Sequence, residues 1–453
     1  MSTIVKGLYV RENRLSRIWA LARLWLDSAP GMSLEKADKV LTARLRIRRL
    51  PGLNGQVLLF LCHSLFFHIG LLGIADILLN FYLVSIGIDA ETIGLLQSLP
   101  RLSGFMIGLP IGWVANRVGN RRLIALSTGG IALSVAATAF TQALPILVIS
   151  RFCWGACFGA NQVVKPPFMV TLTDRSEHTA QFSYHNLVSM LAVSIGSALG
   201  GFLPILVSEL VAIEGVTGVR PEEMPLAYQG GIVIAALAIM FSILPVLALR
   251  GDPASSVATE ARKRLSLRSV PWRKILRLTF PLFVFGISGG LTFPFFNLFF
   301  RDVFGITDSA VGSVIGLGWL VMGIMPMLNP YWEARMGRAG ALSALMVASA
   351  IAFVGLSLSG ALLVAVVFYV LAIGIRNTMQ PLFQPLLMDS LHEDYRNLAS
   401  SAGLVMWNLG WFGSTLSFGF LQATLGYRNI MLVVAFFVVM NGLSIRWSNR
   451  KRE

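Results

Sequence analysis

The stretch GWVANRVGNRR, residues 112 to 122, comes at the end of an apolar segment and carries three arginines in eleven residues. The whole chain of 453 residues is only 13% charged and 55% hydrophobic, so this local crowding of arginines is unusual. A related stretch, PYWEARMGRAG at residues 330 to 340, follows 218 residues later. The segments around these two stretches determine the fold.

Apolar residues fall in long blocks, and the mean hydropathy of the chain is +0.71. Soluble globular proteins carry about 25% charged residues, roughly twice the share found here. A block of ~20 apolar residues is long enough to cross the ~30 Å hydrocarbon core of a bilayer as a helix. We therefore predict an all-α membrane protein with twelve spans: 57–86, 91–115, 122–142, 145–169, 183–207, 227–249, 276–300, 309–330, 340–358, 362–386, 398–421 and 428–446.

The positive charges predict the orientation. With the N-terminus inside, 30 of the 37 lysines and arginines lie in internal segments and 3 lie in external loops. This bias follows the positive-inside rule, so both termini are predicted to be cytoplasmic in a cell inner or plasma membrane. The net charge of +15 then faces membrane lipid, and nucleic acid is not an expected partner.

An internal repeat divides the spans into two sets of six. At an offset of 218, Gln162 matches Gln380 and Gly201 matches Gly419, while Asn80 matches Asn297 with a slip of one residue. Because six is even, both sets have the same orientation, which predicts a substrate site between them near the membrane midplane. The predicted domains are a cytoplasmic amphipathic extension (1–55), an N-terminal bundle (56–250), a basic linker (251–275), a C-terminal bundle (276–446) and a tail (447–453).

The opening stretch resembles the loop 2–3 signature of the major facilitator superfamily, Gly-x-x-x-Asp-Arg/Lys-x-Gly-Arg/Lys-Arg/Lys. The resemblance rests on Gly112, Asn116, Arg117, Gly119, Arg121 and Arg122, with a weaker echo at Arg335 and Gly337. It implies a fold of two pseudo-symmetric six-helix bundles over about residues 55–446, and a loop that holds the bundles together in the outward-open state. Asn116 replaces the family's acid, which weakens this gate. The alternative is that these arginines are only cytoplasmic anchors.

Two further stretches resemble motifs of the same family. Arg151, Gly155 and Gly159 resemble the span 4 motif, which implies a role for Arg151 in proton coupling; the alternative is that Arg151 snorkels to the membrane interface. Gly196 to Gly201 resembles the antiporter motif of span 5, with Ser197 where the family has proline. The resemblance therefore implies H+ as a possible coupling ion.

One acid, Asp76, lies well inside a predicted span. Asp76 and Arg101 are equally far from the turn between spans 1 and 2, so on straight antiparallel helices they lie at the same depth. We predict that they pair, because an unpartnered charge in the bilayer is costly. The pair is either a fixed link between the two spans or a proton-sensitive switch.

Arg376 lies near the middle of span 10 with no acid at its depth. Because spans 1, 4, 7 and 10 line the cavity in the resembling family, the resemblance implies that Arg376 is a cation of the cavity. Four amides occupy matched positions on these spans, namely Asn80, Asn297, Gln162 and Gln380. They predict either a polar substrate cavity or hydrogen bonds between helices.

The resemblance and the two-bundle repeat imply secondary transport of a small solute by alternating access. The chain contains no nucleotide-binding P-loop, so direct drive by ATP is not expected. Four basic residues against one acid inside the spans favour an anionic or zwitterionic small-molecule substrate; the alternative is proton-driven efflux of lipophilic drugs or lipid flipping. The five histidines are predicted to be dispersed, so neither an enzyme nor a metal site nor any cofactor is expected. The resemblance implies a monomer.

Overall fold

The computed structural model describes residues 53–174, 177–211, 225–249 and 270–449. The predicted amphipathic extension and basic linker lie almost entirely outside these ranges, as does most of the C-terminal tail. The predicted domain boundaries around them therefore stay predictions.

Every regular element in these described ranges is helical. The first bundle comprises Gly55–His68, a π-helix Ile69–Ala75, Asp76–Ser85, Ala90–Val118, Asn120–Ala139, Leu144–Met169, His178–Val211, Pro225–Phe241 and Ile243–Ala248. The second comprises Trp272–Gly290, a 3₁₀ turn Phe293–Phe295, Phe296–Phe304, Asp308–Ile324, a 3₁₀ turn Met325–Leu328, Asn329–Leu358, Leu362–Asn377, Met379–Asp389 and Glu393–Asn449. The prediction of an all-α membrane protein is confirmed.

Within the described residues, nine helical stretches are long and apolar enough to cross a membrane. Two of them, Asp308–Leu358 and Leu398–Ser448, are 51 residues long, which is about 76 Å at 1.5 Å per residue. Each contains a glycine with non-helical backbone, Gly337 and Gly426 respectively. The predicted count of twelve requires that both long stretches cross twice and that the 29-residue helix Ala90–Val118 also crosses.

The backbone geometry recurs at the offset of 218. Gly87 and Gly305 both have positive φ, and so do Gly119 and Gly337. These are conformations in which a side chain is strained and glycine is not. The sequence repeat therefore coincides with a repeat of local structure.

Spans 2 and 8 begin with the same kind of cap. The Asp89 side chain accepts a hydrogen bond from the Thr92 amide at 2.6 Å, and the Thr307 hydroxyl accepts one from the Ala310 amide at 3.4 Å. Each cap satisfies one of the amides that the first turn of a helix leaves unpaired. These two helices therefore start at matched residues because of matched local chemistry.

Span 1 is interrupted by the π-helical segment Ile69–Ala75, after which Asp76 begins a new helix. Two glycines in this region permit very close packing. A Cβ atom on Gly73 would lie 2.5 Å from the Gly196 Cα atom, and one on Gly70 would lie 2.7 Å from the Ala235 carbonyl oxygen. Span 1 therefore packs backbone to backbone against spans 5 and 6, and the extra residue of the π-turn changes the face that later residues present.

The two bundles meet closely on one side of the membrane, opposite the loops that carry the arginine-rich stretches. We call the side with these loops, around Arg117 and Arg335, the basic face, and the other side the opposite face. A Cβ atom on Gly201 would collide with the Asp308 carbonyl oxygen, and one on Gly419 would collide with Glu91. Small residues thus close the interface between the bundles on the opposite face.

Candidate functional site

A small cavity lies between the bundles, where spans 1, 7, 8 and 10 converge. Its lining is mostly apolar and aromatic, with one acid: Leu72, Asp76, Ile77, Phe293, Pro294, Phe296, Asn297, Ile315, Trp319, Met322, Tyr369 and Ile373. The cavity has a volume of about 20 Å³, which is enough for a single water molecule. An organic solute fits only after the bundles move apart.

Asp76 is the acid that lines this cavity, but it does not pair with Arg101. Among the described residues, no basic group lies within 4.0 Å of the Asp76 carboxylate, although the charges of Arg151 and Arg101 both act on it. The predicted ion pair is therefore wrong. The depth argument assumed straight helices, whereas the π-helical segment before Asp76 alters the direction in which its side chain leaves span 1.

Arg101 instead reaches across to the other bundle. Its guanidinium carbon lies 4.1 Å from the centre of the Trp411 ring and 4.9 Å from that of Trp407, both on span 11. A cation over an aromatic face is stabilised by about 0.5–2 kcal/mol, depending on how far it is desolvated. Arg101 is thus a cation at the interface between the bundles, held by rings instead of by an acid.

Arg151 is 4% exposed, so the snorkelling alternative is wrong. Its Nη2 atom donates to the Gln97 side-chain oxygen at 2.7 Å, and its Nε atom donates to the Leu96 carbonyl at 3.1 Å. The guanidinium carbon also lies 3.5 Å from the centre of the Trp154 ring. Span 2 therefore anchors Arg151 through neutral acceptors in the interior of the first bundle.

Gln97 extends this contact to the second bundle. Its Nε2 atom donates to Asn80 Oδ1 at 2.7 Å, and Asn80 Nδ2 donates to Asn297 Oδ1 at 3.0 Å. Asn297 Nδ2 in turn donates to the Ile77 carbonyl at 2.9 Å. A buried chain of hydrogen bonds thus connects Arg151 to span 7. Sequence reasoning missed Gln97, although an amide in span 2 four residues before Arg101 was a visible signal.

The four matched amides separate into two pairs. Asn80 and Asn297 are buried and bond each other across the bundle interface. Gln162 and Gln380 are exposed. Gln162 lies 13 residues after the exposed Ile149, which at 100° per residue places it about 140° away from that face of span 4. It is therefore directed away from the exposed apolar side of its helix.

Arg376 is 3% exposed and is held by span 7. Its Nε and Nη2 atoms donate to Ser288 Oγ at 3.1 and 3.0 Å, and Nη2 also donates to the Phe285 carbonyl at 2.5 Å. Its guanidinium carbon lies 3.8 Å from the centre of the Phe285 ring and 5.4 Å from that of Phe293, a residue of the cavity wall. Arg376 thus adjoins the cavity, and within the described chain no acid lies within 4.0 Å of it.

The arginine-rich stretch 112–122 makes its described contacts inside the first bundle. Arg121 donates to the carbonyls of Val246 and Leu247 at the end of span 6, at 3.1 and 2.5 Å. A cation at the C-terminal end of a helix is stabilised by the helix dipole. Arg117 and Arg122 are exposed on the basic face. Gly112 and Asn116 lie within the helix Ala90–Val118.

The matched stretch in the second bundle has different partners. Arg335 places its guanidinium carbon 4.7 Å from the centre of the Tyr331 ring. Arg338 forms ion pairs with Glu333 at 2.7 Å and with Asp389 at 2.9 Å. Sequence reasoning did not single out Arg338, which connects loop 8–9 to the end of span 10. A gating role for either stretch stays a prediction.

Three of the five histidines, His63, His68 and His185, are not dispersed, and this correction concerns the half of the first bundle nearest the basic face. His68 and His185 have ring centres 6.0 Å apart, and His63 lies 5.5 Å from Phe67. The Lys165 Nζ atom lies 4.0 Å from the centre of the same Phe67 ring. The prediction failed because His185 comes from span 5, and adjacency of helices is not visible in the sequence.

Within the described part of the chain, two members of this group, Lys165 and His63, lack hydrogen-bond partners that their buried atoms need. Lys165 is 3% exposed, and its Nζ atom has no hydrogen-bond partner among the described residues. His63 Nε2 is likewise unpartnered there, although His63 Nδ1 lies 2.9 Å from the Ser242 carbonyl. Lys165 therefore introduces an uncompensated amine into an aromatic surrounding.

A further hydrogen bond joins the bundles on the opposite face. The Tyr228 hydroxyl of span 6 donates to Asp308 Oδ2, at the start of span 8, at 2.6 Å. Asp308 is 1% exposed and packs against Gly201. Sequence analysis did not select Tyr228 or Asp308, which together with the glycines hold this side closed.

Three solved transporter structures have a similar fold. A bacterial homologue of the human lysosomal transporter Spinster, inward-facing and unoccupied, has a TM-score of 0.70 at 12% identity, over 87% of this chain and 97% of that one. The nucleoside transporter NupG gives 0.63 at 12% identity, over 88% and 100%. FucP in the outward conformation gives 0.57 at 15% identity, over 86% and 98%.

Sequence comparisons agree with the fold. The efflux pump azaK of Aspergillus niger is 26% identical over 169 residues, which is 36% of this chain and only 36% of the length of that protein. Residues 61–415 match the sequence profile of the Major Facilitator Superfamily. With the helical architecture and the site between two bundles, this match shows that the chain is a multi-pass membrane protein that belongs to the Major Facilitator Superfamily.

Proposed function

We propose that this secondary transporter moves an anionic or zwitterionic organic solute by alternating access between its two bundles. Arg376 is the proposed anchor for the negative group of the solute. The observation that carries this proposal is the charge around the cavity. Arg376 lies over Phe293 of its wall, and Arg101 lies over Trp411, which stacks on the same Phe293; in the described part of the chain neither arginine has a carboxylate within 4.0 Å.

The present partners of Arg376 are replaceable. Ser288 and the Phe285 carbonyl are neutral acceptors. A carboxylate or phosphate bound to an arginine makes a charge-assisted hydrogen bond that is roughly twice as strong as a neutral one. The apolar surrounding strengthens this preference, because charge interactions grow as the local dielectric falls. A solute anion that reaches Arg376 therefore competes well with these acceptors.

The matched amides supply the proposed polar contacts along the path. Gln162 and Gln380 are exposed, whereas Asn80 and Asn297 are buried where the bundles meet. In this proposal the glutamines meet the solute on the basic face, which the charge distribution assigns to the cytoplasm. The asparagine pair forms the end of the path and separates when the opposite face opens.

Proton coupling is assigned to Asp76 in this proposal. Asp76 is the acid of the cavity wall, and the charges of Arg101 and Arg151 both act on it. Protonation removes the attraction between this carboxylate and the two arginines, which changes the balance between the bundles. The arginines of loops 2–3 and 8–9 are the proposed gate on the basic face, and the monomer is the proposed functional unit.

A second candidate function is proton-driven efflux of lipophilic compounds. The observation in its favour is the aromatic lining of the cavity, to which Phe293, Phe296, Trp319 and Tyr369 contribute. The relative from Aspergillus niger is named an efflux pump. For a lipophilic cation, Asp76 instead of Arg376 supplies the opposite charge.

A ligand-stabilisation screen separates the two candidates. Purified wild type, Arg376→Gln and the control Arg273→Gln are heated in detergent with matched panels of organic anions and lipophilic cations. Arg273 is an exposed cation on the basic face with no role in the proposed path. A ligand at a hundredfold excess over Kd stabilises the fold by ~2.7 kcal/mol. We expect anions to raise the unfolding midpoint of wild type and Arg273→Gln but not of Arg376→Gln. Cations that stabilise all three proteins equally, with no effect of anions, contradict the anion proposal and favour drug efflux.

A further inference from the structure

A groove much larger than the central cavity lies on the outer surface of the second bundle, between spans 9 and 12. It has a volume of about 410 Å³ and is lined by Ser343, Ala344, Val347, Ala348, Ile351, Val439, Gly442, Leu443 and Arg446. All but three of these residues are apolar aliphatic, and Arg446 is the only charged one. The proposed path of the solute does not include this groove.

Small residues make the groove. Span 9 contributes Ser343, Ala344 and Ala348, and span 12 contributes Gly442. The helices come close here, because a Cβ atom on Gly442 would lie 3.3 Å from Met346 Cβ. Beside this contact the short side chains leave a channel between two ridges.

The exposed side chains that border the groove show that it faces the hydrocarbon core of the membrane. Val347, Ile351 and Leu443 are 47%, 64% and 52% exposed, which in a membrane protein is contact with lipid. From Ser343 to Ile351 the groove extends eight residues, or about 12 Å along span 9. This is close to the hydrocarbon thickness of one leaflet, about half of the ~30 Å core.

The charged end of the groove lies at the membrane surface. Arg446 is exposed and makes no hydrogen bond or ion pair with the residues that the structure describes. The neighbouring Trp447 is 51% exposed, and tryptophan favours the boundary between hydrocarbon and headgroups. Arg277 donates to the Trp447 carbonyl at 2.5 Å, which brings a second cation close to this end. Arg446 is thus placed at headgroup depth on the basic face.

We propose that this groove is a binding site for an anionic phospholipid of the leaflet on the basic face. An acyl chain lies along Ala344, Ala348 and Gly442, and the headgroup phosphate binds Arg446. Each buried methylene contributes to such binding, and a basic residue near an anionic leaflet adds an attraction of its own. A soluble phosphate lacks the chain, and a zwitterionic lipid lacks the net charge.

Lipid binding by native mass spectrometry tests the proposal. Wild type in detergent is titrated with phosphatidylglycerol and with phosphatidylcholine of the same acyl chains, and separately with glycerol phosphate. We expect phosphatidylglycerol to bind about fivefold more tightly, which corresponds to ~1 kcal/mol for one basic residue near the surface. Glycerol phosphate alone is expected not to bind.

Two variants and one control assign the site. Arg446→Gln is expected to abolish the preference between the two lipids, and Ala344→Leu, which fills the groove, to weaken both. Arg273→Gln removes an exposed cation on the same face outside the groove and is expected to leave the preference unchanged. Equal binding of both lipids to wild type, or an equal loss in Arg273→Gln and Arg446→Gln, overturns the proposal. Each variant is judged by the ratio of its affinities for phosphatidylglycerol and phosphatidylcholine. This ratio does not depend on how much of the variant is folded.

Discussion

The two bundles have the same backbone geometry at matched turns, but the side chains in their interiors differ in chemistry. Four basic residues lie away from the ends of the predicted spans, and each of them corresponds, at the offset of 218, to an aromatic residue in the other bundle. The pairs are Arg101 with Trp319, Arg151 with Tyr369, Lys165 with Phe383, and Phe158 with Arg376. Three of these cations belong to the first bundle and one to the second.

This difference indicates where function resides in a repeated fold. The features that both bundles retain, such as the caps at Asp89 and Thr307 and the turns at Gly119 and Gly337, position helices. Of the features that differ, Arg101 reaches the other bundle and Arg376 adjoins the cavity between the bundles. Symmetry therefore supplies the scaffold, and the departures from it supply a site with a charged side and an aromatic side.

The largest effect on transport is expected from substitutions at Gly201 and Gly419, two glycines at matched positions of the two bundles. A leucine at either position collides with the other bundle on the opposite face. Overpacking costs about 1–3 kcal/mol, so the closed state should lose population and transport should fall about tenfold or more. Transport into proteoliposomes measures the effect. Gly413→Leu, which faces open space, is the control, and normal transport by Gly201→Leu contradicts the idea.

The next largest effect is a loss of stability, and it is expected to differ between Arg151 and Tyr369, the aromatic residue at the matched position. Arg151→Met leaves the buried Gln97 and the Leu96 carbonyl without their donor, so we expect the free energy of unfolding to fall by about 2–4 kcal/mol. Tyr369→Phe removes only a hydroxyl and is expected to cost less than about 1 kcal/mol. Denaturant unfolding in detergent measures both. Equal losses would show that the arginine network adds nothing to the scaffold.

At the matched positions Lys165 and Phe383, substitution by methionine is expected to change the free energy of unfolding in opposite directions. Because the buried Lys165 amine has no hydrogen-bond partner within the described chain, Lys165→Met should raise the free energy of unfolding by about 1 kcal/mol. Phe383→Met, at the matched position, should lower it by about as much, since a packed ring is replaced by a smaller chain. Thermal unfolding midpoints measure both changes. A destabilised Lys165→Met variant would indicate that the amine has a partner essential to the fold.

The smallest effect on stability is expected from removing the side chains that cap spans 2 and 8. Asp89→Ala and Thr307→Ala should each cost about 0.5 kcal/mol, the lower end for an N-cap, because both sites are exposed. Hydrogen bonds from Thr92 lower the pKa of the Asp89 carboxyl, so its stabilisation is complete above its ordinary pKa and is lost as pH falls through the lowered one. Unfolding of both variants between pH 7 and pH 3 checks this. An equal pH dependence for the two caps argues against a charged cap at Asp89.

The sequence was sufficient for the features that depend on spacing along one chain. Apolar blocks, the distribution of arginines and the offset of 218 predicted the helical membrane fold. They also located Gly119 and Gly337, where the structure has positive φ. Each of these follows from local backbone preferences or from the bilayer.

Features that depend on contacts between particular helices could not be predicted from the sequence. The Asp76–Arg101 pair failed because a π-helical segment precedes Asp76 and because Arg101 reaches span 11. The histidine group was missed because His185 meets His68 from another span. Gln97 was overlooked because a single amide in an apolar run gives no indication of its partner.

The hydrogen bond between Asn80 and Asn297 has a geometric consequence. In a homodimer, a residue on the two-fold axis contacts its own copy. Asn80 and Asn297 are such copies within one fused chain, so their bond marks the point where the pseudo-two-fold axis leaves the cavity toward the opposite face. A group on this axis meets both bundles at nearly equivalent depth. Because the cations of one bundle match aromatic residues of the other, the two sides of the axis carry unlike chemistry, and the proposed solute has to complement both.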